Sequence, residues 1–424
     1  MKLVSEVTVA LKKSALSQLV DKFNESGCVL KSMSLYESTE YENAYVCELI
    51  YQHSSEFLNC VEILKNSDKF TFISTDSSLE KTLTGGLLEI SGKLPFETPQ
   101  DYEINVLGGA EIINDKIEKG LDDYCGIENM AANVCAVTDR GSKKKKLYQL
   151  YTIAERDSLI MKKFTAMNCI PLSFQYSQPE DCLRYLRNSA VGFKAMRILE
   201  VEDASLSFYS QLLDGFPAPL IIRELDELPL YVLSLVNKCV HKHRFNPDET
   251  NIGVLGVDNG VIRMTRLFLR SGFRRVLGYD GDENILLEFE GEDGLATTKE
   301  NILRNADLII IMKNNFTNQD LANMRPGQLV ISMIKDSGAD KDTLLNNGIR
   351  EFIQGNTDDL TLIFPALLQG IIHAGLSYFD DTRLIELSEK IAKFMSQDYT
   401  FPELPESVLG MISDFIVLSS YPQN

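Results

Sequence analysis

The stretch Asn251–Ile262, NIGVLGVDNGVI, comes close to the glycine-rich turn that cradles a dinucleotide pyrophosphate, and departs from it where the phosphates would lie. A strand-like apolar run, Ile252 to Leu255, leads into Gly256, and a helix-like stretch, Val261 to Leu269, follows it. A short strand, Arg275–Tyr279, then ends at Asp280. This is a βαβ unit with an acid some 20 residues on, where an adenosine ribose would be held. In G-x-G-x-x-G the second glycine lets the backbone approach the pyrophosphate, and here that position is Asp258. The sixth position is Val261, with Gly260 beside it for tight helix packing. A carboxylate at 258 faces two phosphate charges and opposes the helix N-terminal field that attracts them. Gly256, Asp258, Gly260 and Asp280 are the candidate cofactor-binding residues, and NAD binding is expected to be weak.

Composition bounds the rest. At 424 residues the chain has room for about two to four domains. Its apolar and charged contents, 44% and 24%, are those of an ordinary globular chain. A net charge of −19 argues against nucleic acid or an anionic membrane as the main partner. The eight cysteines are scattered, without a C-x-x-C pair, so neither a disulfide framework nor a zinc site is expected. The N-terminus is too charged for a signal peptide and no apolar run reaches membrane-spanning length. A cytoplasmic location is expected.

Patterning predicts three units. Residues 1–80 read as βαββαβ, the ferredoxin-like plan: strands at Leu3–Leu11, Val29–Tyr36, Ala44–Tyr51 and Phe70–Ser74, with helices at Ser14–Ser26 and Ser54–Lys65. This order resembles the ACT domain, a regulatory module that often binds amino acids and dimerises. A small-molecule effector site and a plain dimerisation lobe are equally compatible with it. Residues 81–248 open with a glycine-containing linker, 81–95, and then alternate strands and helices, which predicts a parallel or mixed sheet with helical cover. Residues 249–424 form the βαβ domain, a Rossmann-type doubly wound parallel sheet. The basic run Lys143–Lys146 reads as a solvated loop, and His373, on an apolar helix face, as a core histidine.

Several segments, in shared order over roughly residues 85 to 415, resemble the bacterial-type malic enzymes. They are Leu88–Asp101 (LEISGKLPFETPQD), Ala136–Asp139 (AVTD), Glu155–Pro171 (ERDSLIMKKFTAMNCIP), Asn305–Ile311 (NADLIII) and Phe364–Gly375 (FPALLQGIIHAG). The resemblance implies NAD, a divalent cation (Mg²⁺ or Mn²⁺), and oxidative decarboxylation of malate to pyruvate. That chemistry needs a base, an acid and a metal that polarises a carbonyl.

Carried over residue by residue, the resemblance finds the chemistry removed. The family's lysine falls on Asp157 and its tyrosine on Val106, with Tyr102 four residues earlier. The acidic segment Glu200-Val201-Glu202-Asp203 offers two registers for the Glu-Asp metal pair, one pairing Glu202 with Asp203 and the other losing a ligand at Val201. The segment that holds the family's third metal acid is matched by Ile222–Pro229, where Asp226 is the candidate ligand and an acidic helix start is the plainer explanation of Glu224–Glu227. Of the substrate asparagines only Asn356 is kept, beside Asp358 and Asp359. Groups that act as a unit are rarely relocated together. The expectation is therefore a malic-enzyme-like protein that is catalytically impaired or silent, homodimeric or larger, with a regulatory or scaffold role. The other reading is an active NAD-dependent malic enzyme with a rearranged site.

Overall fold

The computed structural model describes all residues except 1–2, 12–15, 37–40, 42, 77–85, 89–97, 122–125, 140–143, 166, 314–315, 318, 335–337, 339, 356–362, 396–405 and 421–424. The chain divides into two compact units, Met1–Ser91 and Gly92–Asn424.

The first unit follows the βαββαβ order: β1 (Leu3–Leu11), α1 (Leu16–Glu25), β2 (Val29–Tyr36), β3 (Ala44–Tyr51), α2 (Ser54–Lys65) and β4 (Phe70–Thr75). The strands pair antiparallel in the order β2-β3-β1-β4. Helix α2 buries Phe57, Cys60, Val61 and Leu64, the i, i+3, i+4, i+7 stripe of one helix face, against Val7, Val9, Cys47 and Leu49 of the sheet. At its start, the Glu56 carboxylate accepts the backbone N–H groups of Gln52 and His53 at 2.8 and 3.1 Å, satisfying two exposed donors.

The second unit opens with a helical run: α3 (Pro99–Asp101), a wider-coiled π-helical stretch (Tyr102–Gly108) and α4 (Gly109–Glu118). None of its described side chains is buried. Then come β5 (Met130–Thr138), α5 (Lys144–Thr165), β6 (Asn168–Tyr176), α6 (Pro179–Ala190), β7 (Ala195–Val201), α7 (Leu206–Leu213) and β8 (Leu220–Ile222). These strands form a parallel sheet, β6-β5-β7-β8. Strand β5 is buried on both faces, as a helix-covered parallel strand must be. A wide turn, Arg223–Glu227, leads into α8 (Leu228–His243), whose residues from Leu228 to Asn237 are all buried.

The remaining elements are β9 (Asn251–Leu255), α9 (Asn259–Arg270), β10 (Arg275–Tyr279), α10 (Glu283–Gly291), β11 (Leu295–Ala296), α11 (Lys299–Asn305), β12 (Leu308–Ile311), β13 (Leu329–Ser332), α12 (Lys341–Asn346), β14 (Glu351–Gln354), α13 (Phe364–His373), α14 (Asp381–Met395) and α15 (Glu406–Ser420). The six strands are parallel in the order β11-β10-β9-β12-β13-β14, the doubly wound arrangement that reverses direction between β9 and β12. One apolar core joins this sheet to the other through α8, with Leu233 and Val236 packed among Ile252, Val261, Ile310 and Leu387.

Two expectations are corrected. Of the basic run, Lys144, Lys145 and Lys146 open helix α5 and form no loop, and Lys143 lies outside the described residues. His373 is exposed in the last turn of α13, where the helix C-terminal carbonyls favour a basic side chain. No helix among the described residues is long and apolar enough to cross a membrane.

Candidate functional site

Gly256 stands at the end of β9 with φ +95°, a conformation that costs glycine nothing. A Cβ there would lie 2.6 Å from Lys313 Cγ and 2.8 Å from the Lys313 backbone nitrogen. The turn is thus closed over by Lys313, whose Nζ donates to the Val257 carbonyl (2.8 Å) and to Asp280 Oδ2 (2.7 Å). Asp280 also accepts from the backbone N–H groups of Val257 (2.8 Å) and Asp282 (3.0 Å). Burial alone would raise its pKa, but these bonds together hold it below the usual carboxylate range. The acid expected to meet a ribose is spent on the turn itself.

Asp258 caps α9. Its backbone is extended (φ −145°) and its Oδ1 accepts the Val261 N–H at 2.9 Å. The carboxylate occupies the helix N-terminal field that a pyrophosphate would use. Its pKa is raised, chiefly by burial, against the pull of the cap bonds and of Lys313. Gly260 serves packing: a Cβ there would lie 2.8 Å from the Glu224 carbonyl.

A cleft of about 390 Å³ opens between this turn, the end of β7 and the Arg223–Glu227 turn. Lys146, Glu200, Glu202, Glu224, Asp258 and Asn259 line it. Lys146 Nζ lies 2.8 Å from Glu200 Oε1 and 3.1 Å from Glu202 Oε1, so an ammonium holds the place where the resemblance puts a metal. The other Glu202 oxygen accepts both the N–H and the hydroxyl of Thr138, each at 3.0 Å. Asp203 is exposed, at φ +58°. Burial first, then the Asp258 charge, push the pKa of Glu224 up to about 7, while Tyr209 donates to it at 2.8 Å.

Asp226 does not line this cleft. It accepts the Ile222 N–H at 2.7 Å, lies 3.7 Å from Arg263 Nη2, and is pushed up to about 6 by burial. Glu202 and Asp203 both line the cleft and Asp226 does not, and among the described residues no three His, Cys, Asp or Glu side chains converge to hold a metal ion. The acidic start of α8 is instead three acids with three different partners, since Glu227 belongs to the cluster that follows.

Asp157 is fully buried in an ion cluster centred on Arg197. Arg197 Nη1 lies 2.7 Å from Asp157 Oδ2, its Nε and Nη2 grip the two oxygens of buried Glu227 at 2.5 and 2.7 Å, and Nη1 also donates to Asn133 (3.2 Å). The Phe364 ring lies 4.2 Å from the guanidinium carbon, and Arg156 holds the other Asp157 oxygen at 2.9 Å. Arg197 escaped the sequence reading, although an arginine inside the apolar strand AMRILEV signals a buried partner. Val106 is exposed in the Tyr102–Gly108 stretch, and the side chain of Tyr102 is not described. Asn356, with Asp358 and Asp359, lies outside the described residues.

No family model and no curated protein matches this chain. Its fold is nevertheless found in solved structures. The NAD-dependent malic enzyme of Thermotoga maritima superposes with a TM-score of 0.67 at 14% identity, covering 80% of this chain and 98% of that one. The malic enzyme of Entamoeba histolytica gives 0.65 at 13%, covering 80% of each chain. That of Pyrococcus horikoshii gives 0.65 at 14%, covering 78% and 86%. At such identities the likeness establishes a malic-enzyme-like fold and nothing of the chemistry.

Proposed function

We propose that this protein is a non-catalytic relative of the malic enzymes, a regulatory or scaffold protein with at most weak dinucleotide binding. The observation that carries the reading is the capping of α9 by Asp258, which fills from within the chain the anion position of the dinucleotide turn. Three other internal pairings support it: Lys146 with Glu200 and Glu202, Lys313 with Asp280, and Arg197 with Asp157. The residues present do not suit a divalent cation, because Lys146 already neutralises the acids that would hold one. The first unit is proposed as an ACT-like regulatory lobe, open to a small-molecule effector. The protein is further proposed to be cytoplasmic and a homodimer or larger.

Titration calorimetry with NAD on wild type and Asp258→Gly tests this reading. Wild type should bind weakly, and the substitution should tighten binding by removing the competing carboxylate. Tight wild-type binding weakened by Asp258→Gly would overturn it. Malate-dependent NAD reduction should be undetectable with Mg²⁺ or Mn²⁺ across neutral pH.

One observation favours the second reading, an active enzyme with a rearranged site. Glu224, with a pKa of about 7 and a tyrosine hydroxyl on it, has the acid–base poise that catalysis uses. Turnover by wild type that is lost in Glu224→Gln would establish that reading.

A further inference from the structure

Helix α9 carries three arginines, Arg263, Arg266 and Arg270, at the i, i+3, i+7 spacing that aligns side chains on one helix face. All three line a second cavity of about 390 Å³, walled also by α7, the Arg223–Glu227 turn and the Tyr378–Asp381 stretch ahead of α14. It shares no described lining residue with the cleft at Asp258. Leu206, Leu213 and Leu225 give it an apolar wall. Its volume falls in the range of small-molecule sites.

The guanidiniums are incompletely satisfied. One carboxylate, Asp381, is divided among them, at 3.4 Å from Arg263 Nη2, 3.5 Å from Arg266 Nε and 2.9 Å from Arg270 Nη1. Glu292 lies 3.4 Å from Arg266 Nε, Asp226 stands 3.7 Å from Arg263, and Asp380 is engaged by Arg383. Arg263 donates from Nη2 to the Phe379 carbonyl at 3.1 Å, but its Nε is buried without a hydrogen-bond acceptor, and the residue is only 8% exposed. The buried Arg266 Nε has only the two long carboxylate approaches and no well-formed hydrogen bond. Buried donors without partners are rare and signal an acceptor supplied from elsewhere. Guanidinium forks match the planar oxygens of carboxylate and the tetrahedral oxygens of phosphate.

We propose that this cavity is an oxyanion site, taking a small organic molecule whose phosphate or carboxylate group bridges Arg266 and Arg270 while its body packs on Leu206, Leu213 and Leu225. The ligand competes with Asp381 for the arginines, so removing that charge strengthens binding.

The test is calorimetry on the full chain with inorganic phosphate, pyrophosphate and succinate, each at constant ionic strength set with chloride. Saturable one-to-one uptake of at least one probe is expected, and the preference between the phosphates and succinate identifies the group the site takes. Arg266→Gln and Arg270→Gln should each weaken uptake by at least about tenfold, and Asp381→Asn should tighten it. Both arginines are partly exposed, so these variants should fold. Should one fail to fold by circular dichroism, the other carries the test. No saturable uptake of any probe, or uptake that the folded arginine variants leave unchanged, overturns the proposal.

Discussion

Asp157 occupies the position that the family resemblance gives to a lysine base, and its surroundings assign it the opposite kind of work. Fully buried between Arg156 and Arg197, it is one corner of an ion cluster that Glu227 completes. Removing the centre of such a cluster strands two buried carboxylates. Arg197→Met should therefore lower the unfolding free energy by about 3–5 kcal/mol, read from denaturant melts. Asp157→Lys would set a third cation against two arginines and should also destabilise. Its failure to restore malate chemistry would then have a folding cause. Glu224 gives a pH signature. Its pKa rises on folding from the ordinary 4.5 to about 7. Between those values the folded chain keeps a proton that the unfolded chain has released. This contribution to stability is greatest at acid pH and declines as pH rises through that window, by about 3 kcal/mol in all. Glu224→Gln should flatten that slope, and an unchanged pH profile of the melting midpoint would remove Glu224 as its source.

The turn between β9 and α9 is where element geometry decides function. Gly256 must take a positive φ and must leave room for Lys313, whose Cβ, Cγ and nitrogen would all lie within 2.8 Å of an added methyl. Gly256→Ala should cost more than about 1 kcal/mol, since the φ strain and the overlap with backbone both act. A melt indistinguishable from wild type would mean that the turn relaxes freely. The position of Gly256 was legible because strand, turn, helix and acid have fixed spacing. The fate of Asp258 and Asp280 was not, because whether an acid waits for a ligand or satisfies its own backbone depends on neighbours far along the chain, here Lys313. Helix α5 teaches the same lesson. Its first turns, KKKLYQLYTI, pack Leu147 and Leu150 with Cys135 and Val137 of β5, and Lys146 reaches acids more than 50 residues away.

At the scale of the whole molecule, two features underlie the proposal that the chain assembles with a second copy of itself. Strands β2 and β4 are the edges of the first sheet, with unpaired backbone groups that invite pairing or cover. The helical run Pro99–Glu118 exposes Ile104, Leu107, Ile112 and Ile113 without a single described buried side chain. A helix of that length holds poorly in water without tertiary packing. Light scattering at micromolar concentration should give a dimer mass or larger, and Ile112→Glu should shift it toward monomer. A wild-type monomer would refute the assembly.

The sequence by itself determined the βαββαβ order of the first unit, nearly to the residue, and the β9–α9–β10 unit of the doubly wound sheet, but not its outer strands β11 and β14. Alternation, helical spacing and glycine placement are local, and each element buries its own stripe whatever the rest of the chain does. Through its resemblance to the malic enzymes it also led to the expectation that a lysine, a tyrosine and a pyrophosphate glycine are replaced, at Asp157, Val106 and Asp258. Only the tertiary structure decided what the replacements do. Arg197 meets Asp157, Lys146 meets Glu202 and Lys313 meets Asp280 across 40, 56 and 33 residues. A buried charge takes whatever counter-charge the fold brings within about 3 Å, and no local pattern encodes that meeting.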